Sequence, residues 1–289
     1  MRSIKVFAPA KLNLYLDVVG KRPDGYHNIE TIFEKIDLKD EIIIKEKGKG
    51  LKVKATPSIC GQGKENIVYK AISALFEEAG VYPNLDIAIK KRIPVSAGLG
   101  GGSSDAASAL RAVNDIFKLG IPRKKLFSIA CGIGKDVPFF MTDYAFAAAE
   151  GTGERLERIT LDKDLFHILI KPPIPLSTKL MYGRIDKCGS SAGKHSLASA
   201  VAALRSGSAA KLEENYYNIF ENALAGDSVH IDRVKTLLAL SGCRYSLLSG
   251  SGPSVFCTFG NKKDAERGFK KIPKDKNMEV FLVKTYRRA

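Results

Sequence analysis

Apolar and polar residues alternate directly after Pro9, with Leu12, Leu14, Leu16 and Val18 set against Lys11, Asn13, Tyr15 and Asp17. Successive strand side chains leave opposite faces, so the pattern predicts a half-buried strand with Lys11 and Asn13 on the same face. Pro23-Asp24-Gly25 predicts a turn that delivers Tyr26 and His27 at its exit. Ile42-Ile43-Ile44 and Leu51-Lys52-Val53 flank Lys47-Gly48-Lys49-Gly50, the pattern of a hairpin. The period then changes: Ile67, Val68, Ala71, Ile72, Leu75, Phe76 and Ala79 recur at helical spacing, with Asn66 as N-cap and Gly80 as stop. Leu85, Ile87 and Ile89 alternate as a strand. Ala106, Leu110, Val113 and Phe117 mark one face of a helix that Gly120 and Pro122 end.

The second half opens at Phe166-His167-Ile168-Leu169-Ile170, after a pause at Glu150-Gly151-Thr152-Gly153-Glu154. Helical patterns at 196–205 and 229–240, a segment at 249–259 and a final strand at Val280-Phe281-Leu282-Val283 complete an interleaved order. That order favours an α+β fold over a repetitive parallel sheet. At about 100–200 residues per domain, 289 residues predict two domains, divided as 1–155 and 156–289. Gly189-Ser190-Ser191-Ala192-Gly193 reads as a mobile surface loop, and no repeat of solenoid period is present.

Composition narrows the class. Five cysteines, at 60, 131, 188, 243 and 257, are an odd number without a C-x-x-C spacing, which points to a reducing cytosol and away from a disulfide scaffold or zinc ribbon. The four histidines show no i, i+4 pair, so no metal ligands are assigned. No apolar run reaches the ~18–20 residues that span a bilayer, and the first ten residues are too short in apolar character for a signal peptide. The net charge of +15 makes anionic partners expected without selecting among nucleotides, nucleic acid and lipid.

Candidate chemistry concentrates in Pro94-Val95-Ser96-Ala97-Gly98-Leu99-Gly100-Gly101-Gly102-Ser103-Ser104, which runs into an alanine-rich helix. Glycines let consecutive N–H groups curl toward one point, and the helix N-terminus adds free donors and a positive dipole end. The dipole alone contributes about 0.3–1 kcal/mol at an exposed site, so several hydrogen bonds must share the work, two of them available from Ser103 and Ser104. No G-x-x-x-x-G-K-[ST] occurs in the chain. The dinucleotide fingerprint fails because Ser103 stands where its third glycine belongs. A glycine turn with an ordinary serine cap is the plainer reading of such a cluster taken alone.

This loop resembles the second motif of the GHMP kinases, the superfamily of galactokinase, homoserine kinase and mevalonate kinase. Ala8-Pro9-Ala10-Lys11-Leu12-Asn13-Leu14 resembles the first motif, and Leu248-Ser249-Gly250-Ser251-Gly252-Pro253-Ser254-Val255-Phe256 the third. Lys11-Leu12-Asn13-Leu14, Arg22-Pro23-Asp24-Gly25-Tyr26-His27 and Asp136-Val137-Pro138-Phe139-Phe140 are most similar to the branch that acts on a diphosphocytidyl alcohol. The resemblance, covering residues 6 to about 259, implies a two-domain α+β fold with its active site in the interdomain cleft. It also implies ATP- and Mg²⁺-dependent phosphorylation of the 2-hydroxyl of 4-diphosphocytidyl-2-C-methyl-D-erythritol, in the non-mevalonate route to isoprenoids. Carried over, Asp136 is the general base and Lys11 its cationic partner, residues 94–104 form the ATP loop, and Lys11, Asn13, Tyr26, His27 and Asp136 meet the substrate. The chain departs from the pattern at Lys135, where the family usually has a small residue.

Each residue also has a plainer reading. Asp136 alone reads as an N-cap for a helix opening at Val137-Pro138. Lys11 reads as a strand lysine reaching water, and Tyr26 as cover for a core edge. Tyr182, Tyr216 and Tyr217 read as packing residues. Two other functions stay open at this level: another GHMP small-molecule kinase, of homoserine or mevalonate type, and a nucleic-acid-binding module built on the lysines between 262 and 276 with Arg287 and Arg288. Those lysines lack interleaved aromatics, so neither a nucleic-acid nor a membrane partner is expected. The oligomeric state has no signal.

Overall fold

The computed structural model describes residues 2–58, 61–188 and 196–288. The surface loop expected at 189–193 lies outside the described residues. The alternating segment belongs to β1 (Ser3–Lys21), which is followed by β2 (His27–Glu46). Residues 8–18 are buried on both faces of β1, which corrects the half-buried expectation. The polar face carrying Lys11, Asn13, Tyr15 and Asp17 is covered by protein and not by solvent.

The chain divides into two compact units. One comprises Met1–Ala10, Leu38–Val95 and Gly100–Asp143, and the other Lys11–Asp37, Ser96–Leu99 and Tyr144–Ala289. The grouping is interleaved along the chain, where the sequence reading divides it consecutively at 155/156.

The first unit adds β3 (Leu51–Thr56), α1 (Ile67–Ala79), β4 (Leu85–Lys90), α2 (Gly101–Ile116), α3 (Arg123–Ile133) and α4 (Val137–Met141). The expected hairpin between the Ile42 and Leu51 segments does not form. Instead β4 lies between them, antiparallel to β2 with Ile42 opposite Ile89, and parallel to β3 with Val53 opposite Ile87. Parallel neighbours need a crossover, and α1 supplies it by laying Val68, Ala71, Ile72 and Leu75 into the core. Its ends are those read from the sequence: Asn66 Oδ1 accepts from Val68 N at 2.9 Å, and Gly80 takes the left-handed cap at φ +64°.

The second unit adds β5 (Phe146–Glu150), β6 (Arg155–Ile159), β7 (Phe166–Lys171), α5 (Thr178–Cys188), α6 (Leu197–Arg205) and α7 (Ala209–Glu214). It continues through β8 (Tyr217–Asn218), α8 (Ser228–Leu240), β9 (Ser246–Leu248), β10 (Val255–Phe259), α9 (Lys262–Phe269) and β11 (Glu279–Lys284). Four strands pair antiparallel in the order β11-β7-β10-β9, and Ile168, Ile170, Val255 and Cys257 pack with Ile231, Val234 and Leu238 of α8. The mixed helices and sheets are the α+β class expected from the interleaved pattern.

Burial in α7 pushes the Glu213 carboxyl up to about 7, with Arg244 partly offsetting it. The folded chain therefore keeps a proton that the unfolded chain gives up near the ordinary value of 4.5. Stability falls as pH rises between those two values, by about 1–3 kcal/mol in total. Urea unfolding at pH 5 and pH 8 should show that loss in the native sequence and most of it abolished in Glu213→Gln.

Candidate active site

The glycine-rich loop has the backbone its sequence calls for. Ser96, Gly98 and Gly100 lie at φ +53°, +76° and +66°, and α2 starts at Gly101 with Gly100 as a cap that contributes no side-chain bond. The first-turn amides of α2 thus point out of the helix end without a capping side chain over them. Ser104 N donates to Gly100 O at 2.9 Å, while Ser104 Oγ is fully buried and has no hydrogen-bond partner among the described residues. An orphaned hydroxyl beside outward-facing amides fits an oxygen-rich anion such as a nucleotide phosphate.

Within the first unit, the turn carrying Asp136 lies against this helix end. A Cβ built on Gly134 would stand 3.3 Å from Val137 and 3.8 Å from Ser103 Oγ. Val137 N donates to Gly134 O at 3.2 Å, closing the turn that presents Lys135 and Asp136. Asp136 occupies the N-cap position of α4, as its plainer reading expects, and makes no side-chain capping bond there. Lys135 is exposed.

Within the second unit, the first, second and third motifs meet. Lys11 N donates to Leu99 O at 3.0 Å, Ser249 Oγ to Gly98 O at 3.0 Å, and Ser254 N to Ala97 O at 3.4 Å. A Cβ on Gly98 would overlap the Ser249 carbonyl oxygen and stand 3.2 Å from Gly252 N, so the close approach of the two loops needs glycine there. The ammonium of Lys11 donates to Asn13 Oδ1 and lies 5.6 Å from the Phe33 ring centre, and a Cβ on Gly250 would be 3.3 Å from its Nζ. Asn13 Nδ2 in turn donates to Thr31 Oγ1 at 2.8 Å, and that hydroxyl donates to Tyr15 O at 2.6 Å. Lys11 and Asn13 share a face as read, but as a buried polar row and not as a solvated one.

Tyr26 is exposed after the Pro23-Asp24-Gly25 turn, whose Gly25 sits at φ +82°. His27 is partly buried, its side chain 8% exposed: its Nε2 lies 2.7 Å from Asp186 Oδ1, and its ring stacks on Tyr182 at 4.7 Å. Lys21 and His27 beside Asp186 hold its carboxyl below the usual carboxylate range. Tyr182 also meets Phe220 edge-on at 4.9 Å, so the packing role read for it is present, joined by the stack on His27. Asp186 and Asn218 had no sequence signal. Asn218 donates from Nδ2 to Leu248 O at 2.7 Å and Gly250 O at 2.8 Å, fixing the third motif from β8.

Other candidates are absorbed locally. Glu154 accepts from Thr152 N and Oγ1 at 2.8 and 2.7 Å, a self-capped turn. Of the basic C-terminal run, Lys262 pairs with Glu266, and Arg287 pairs with Asp164 and donates to Leu161 O and Lys163 O. No group of three or more His, Cys, Asp or Glu side chains that could hold a metal occurs among the described residues. No helix among them is long and apolar enough to cross a membrane.

Residues 66–151 match the GHMP kinases N terminal domain. A crystal structure of 4-(cytidine 5'-diphospho)-2C-methyl-D-erythritol kinase superposes with a TM-score of 0.81 at 30% identity, covering 97% of this chain and 99% of that one. Homoserine kinase from Cytophaga hutchinsonii shares the fold at a TM-score of 0.71 and 20% identity, covering 99% and 95% of the two chains. The fold and loop together are thus those of the GHMP kinases. The chain is 35% identical to the 4-diphosphocytidyl-2-C-methyl-D-erythritol kinase of Acetivibrio thermocellus, over 99% of its own length and 100% of the relative's. It is equally 35% identical to that of Clostridium acetobutylicum, over 98% and 100%. This chain belongs to the 4-diphosphocytidyl-2-C-methyl-D-erythritol kinase family.

Proposed function

We propose that the protein transfers the γ-phosphoryl group of ATP to the 2-hydroxyl of 4-diphosphocytidyl-2-C-methyl-D-erythritol. The observation that carries the reading is the uncapped first turn of α2 beside the turn bearing Asp136, in a chain of this family matched end to end. Phosphoryl transfer asks for positioning and charge neutralisation more than for covalent chemistry. The amides of residues 98–104 and the hydroxyls of Ser103 and Ser104 take the phosphate oxygens. Asp136 orients the alcohol and accepts its proton as the new P–O bond forms and the bond to the ADP oxygen breaks. Lys11 balances charge on the transferring group, and Asn13 holds the Lys11 ammonium in place.

Mg²⁺ belongs to the same proposal: bound with the nucleotide, it neutralises phosphate charge. It usually keeps waters and phosphate oxygens as ligands, so a dedicated protein cage is not required. The buried Ser104 Oγ, without a hydrogen-bond partner among the described residues, fits a phosphate oxygen or the ion it would carry. Tyr26 and His27 are assigned to the cytidine end, with Tyr26 exposed for stacking on a base. We assign no nucleic-acid or membrane partner and place the enzyme in the cytoplasm, on the strength of its cysteine usage and short apolar runs.

A substrate panel tests the assignment. With Mg-ATP, kcat/KM for the diphosphocytidyl alcohol should exceed that for homoserine or mevalonate by at least about 10³-fold, because a site built to hydrogen-bond one substrate rejects others lacking its groups. Equal or reversed values would reject it.

A further inference from the structure

Behind the phosphate loop, the first unit holds three charged side chains that the scheme above leaves unused. Lys91 follows β4 directly and leads into the loop through Ile93. Its ammonium lies 2.5 Å from Asp40 Oδ2 on β2 and 2.7 Å from Asp105 Oδ2 on α2. All three side chains are buried, with 6%, 0% and 4% exposure for Lys91, Asp40 and Asp105. The second oxygen of Asp40 accepts from Arg92 N at 2.6 Å and Ile93 N at 2.9 Å, and Lys91 N donates to Thr56 O at 2.9 Å. The exit of β4 is therefore held by the Asp40 carboxylate on one side and by the Thr56 backbone carbonyl on the other.

The same ammonium reaches the start of α2. A Cβ on Gly101 would stand 3.2 Å from Lys91 Nζ and 3.0 Å from Ile93 Cγ2, so the cation packs against the first residue of the helix. A lysine is ordinarily unfavourable at a helix N-terminus, where the dipole already presents positive charge. Burying it there costs desolvation as well, unless something gains from the added potential. Two carboxylates around one ammonium would leave a net buried negative charge. Burial and the neighbouring Asp40 push the Asp105 carboxyl up, and its Oδ1 has no hydrogen-bond partner among the described residues. Of the three charged groups, the Lys91 ammonium is the one that stands against the first residue of α2.

We propose that Lys91, clamped by Asp40 and Asp105, is a positioning residue for nucleotide binding. It locks the exit of β4 to the first turn of α2 and supplies positive potential beneath the amides of residues 101–104. The inference rests on the kinase reading above, since the anion it serves is the phosphate chain of ATP. It assigns Lys91 no contact with that chain; its ammonium is occupied by the two aspartates.

The test uses Lys91→Met/Asp105→Asn, which removes the cation together with one carboxyl and leaves Asp40 bonded to its two amides. Calorimetry with ATP alone should show affinity weakened about 10–100-fold, as expected for a charge removed at short range from a polyanion in a partly buried site. The KM of the alcohol should stay within about 3-fold of wild type, a split that general loosening of the fold would not give. Wild-type ATP affinity in the folded double variant would overturn the proposal. Lys91→Gln, which keeps a hydrogen-bonding side chain between the two carboxyls and loses the charge, should weaken ATP binding about 10-fold or more; wild-type affinity there would also overturn the proposal, and this variant decides if the double one does not fold. Failure of the wild type to bind ATP would contradict the kinase reading itself, whereas equal binding by wild type and double variant contradicts only the clamp.

Discussion

Replacing Asp136 by asparagine is expected to leave ATP binding near the wild-type level while lowering kcat by about 10²–10⁴-fold, the range a positioned general base contributes. The side chain keeps its size and position at the head of α4, where it makes no capping bond, so the helix loses nothing. An amide cannot take the proton of the attacking hydroxyl. The effect should therefore fall on kcat and on kcat/KM alike, the mark of an interaction made only in the transition state. Steady-state kinetics combined with ATP calorimetry separates the terms. Near-normal turnover in the variant would remove Asp136 from the chemistry, and a parallel loss of ATP affinity would make it a binding residue.

The second large effect is expected at Gly98. Its φ of +76° is strained for any other residue, and a Cβ there would overlap the Ser249 carbonyl oxygen, which is backbone and cannot swing aside. Gly98→Ala should cost on the order of 3–5 kcal/mol of stability, from a backbone clash added to left-handed strain. The loop would part from the third motif, breaking the bond from Ser249 Oγ to Gly98 O, and ATP affinity should fall at least about 100-fold. Thermal unfolding and nucleotide calorimetry on the same sample read both. A stable variant that binds ATP normally would show that the loops need not touch.

The parts of this molecule legible in sequence are those where local chemistry and tertiary need agree. Helix α1 is one, since Asn66, the 3.6-residue period and Gly80 each act within a few residues of themselves. The glycine loop is another, because consecutive glycines before an uncapped helix have few other uses. The hairpin between β2 and β3 failed for a non-local reason: Lys47-Gly48-Lys49-Gly50 can turn a chain, but which strand sits next to β2 depends on β4, more than thirty residues on. The polar face of β1 is covered where its alternation suggests solvent, because alternation reports two faces and not what covers the second one. Asp186, Tyr182 and Asn218 reach their partners across large chain separations, so no spacing rule points to them. Lys91 meets Asp40 and Asp105 across 51 and 14 residues of chain, so no spacing rule points to that cluster either.

The reaction itself is most directly tested by following ³¹P resonances while purified protein, Mg-ATP and 4-diphosphocytidyl-2-C-methyl-D-erythritol are incubated together. ADP should appear in step with one new phosphomonoester on the tertiary 2-hydroxyl, with the diphosphate link to cytidine intact. Release of inorganic phosphate without that ester, or an ester on a different hydroxyl, would contradict the transfer assigned to the loop and Asp136.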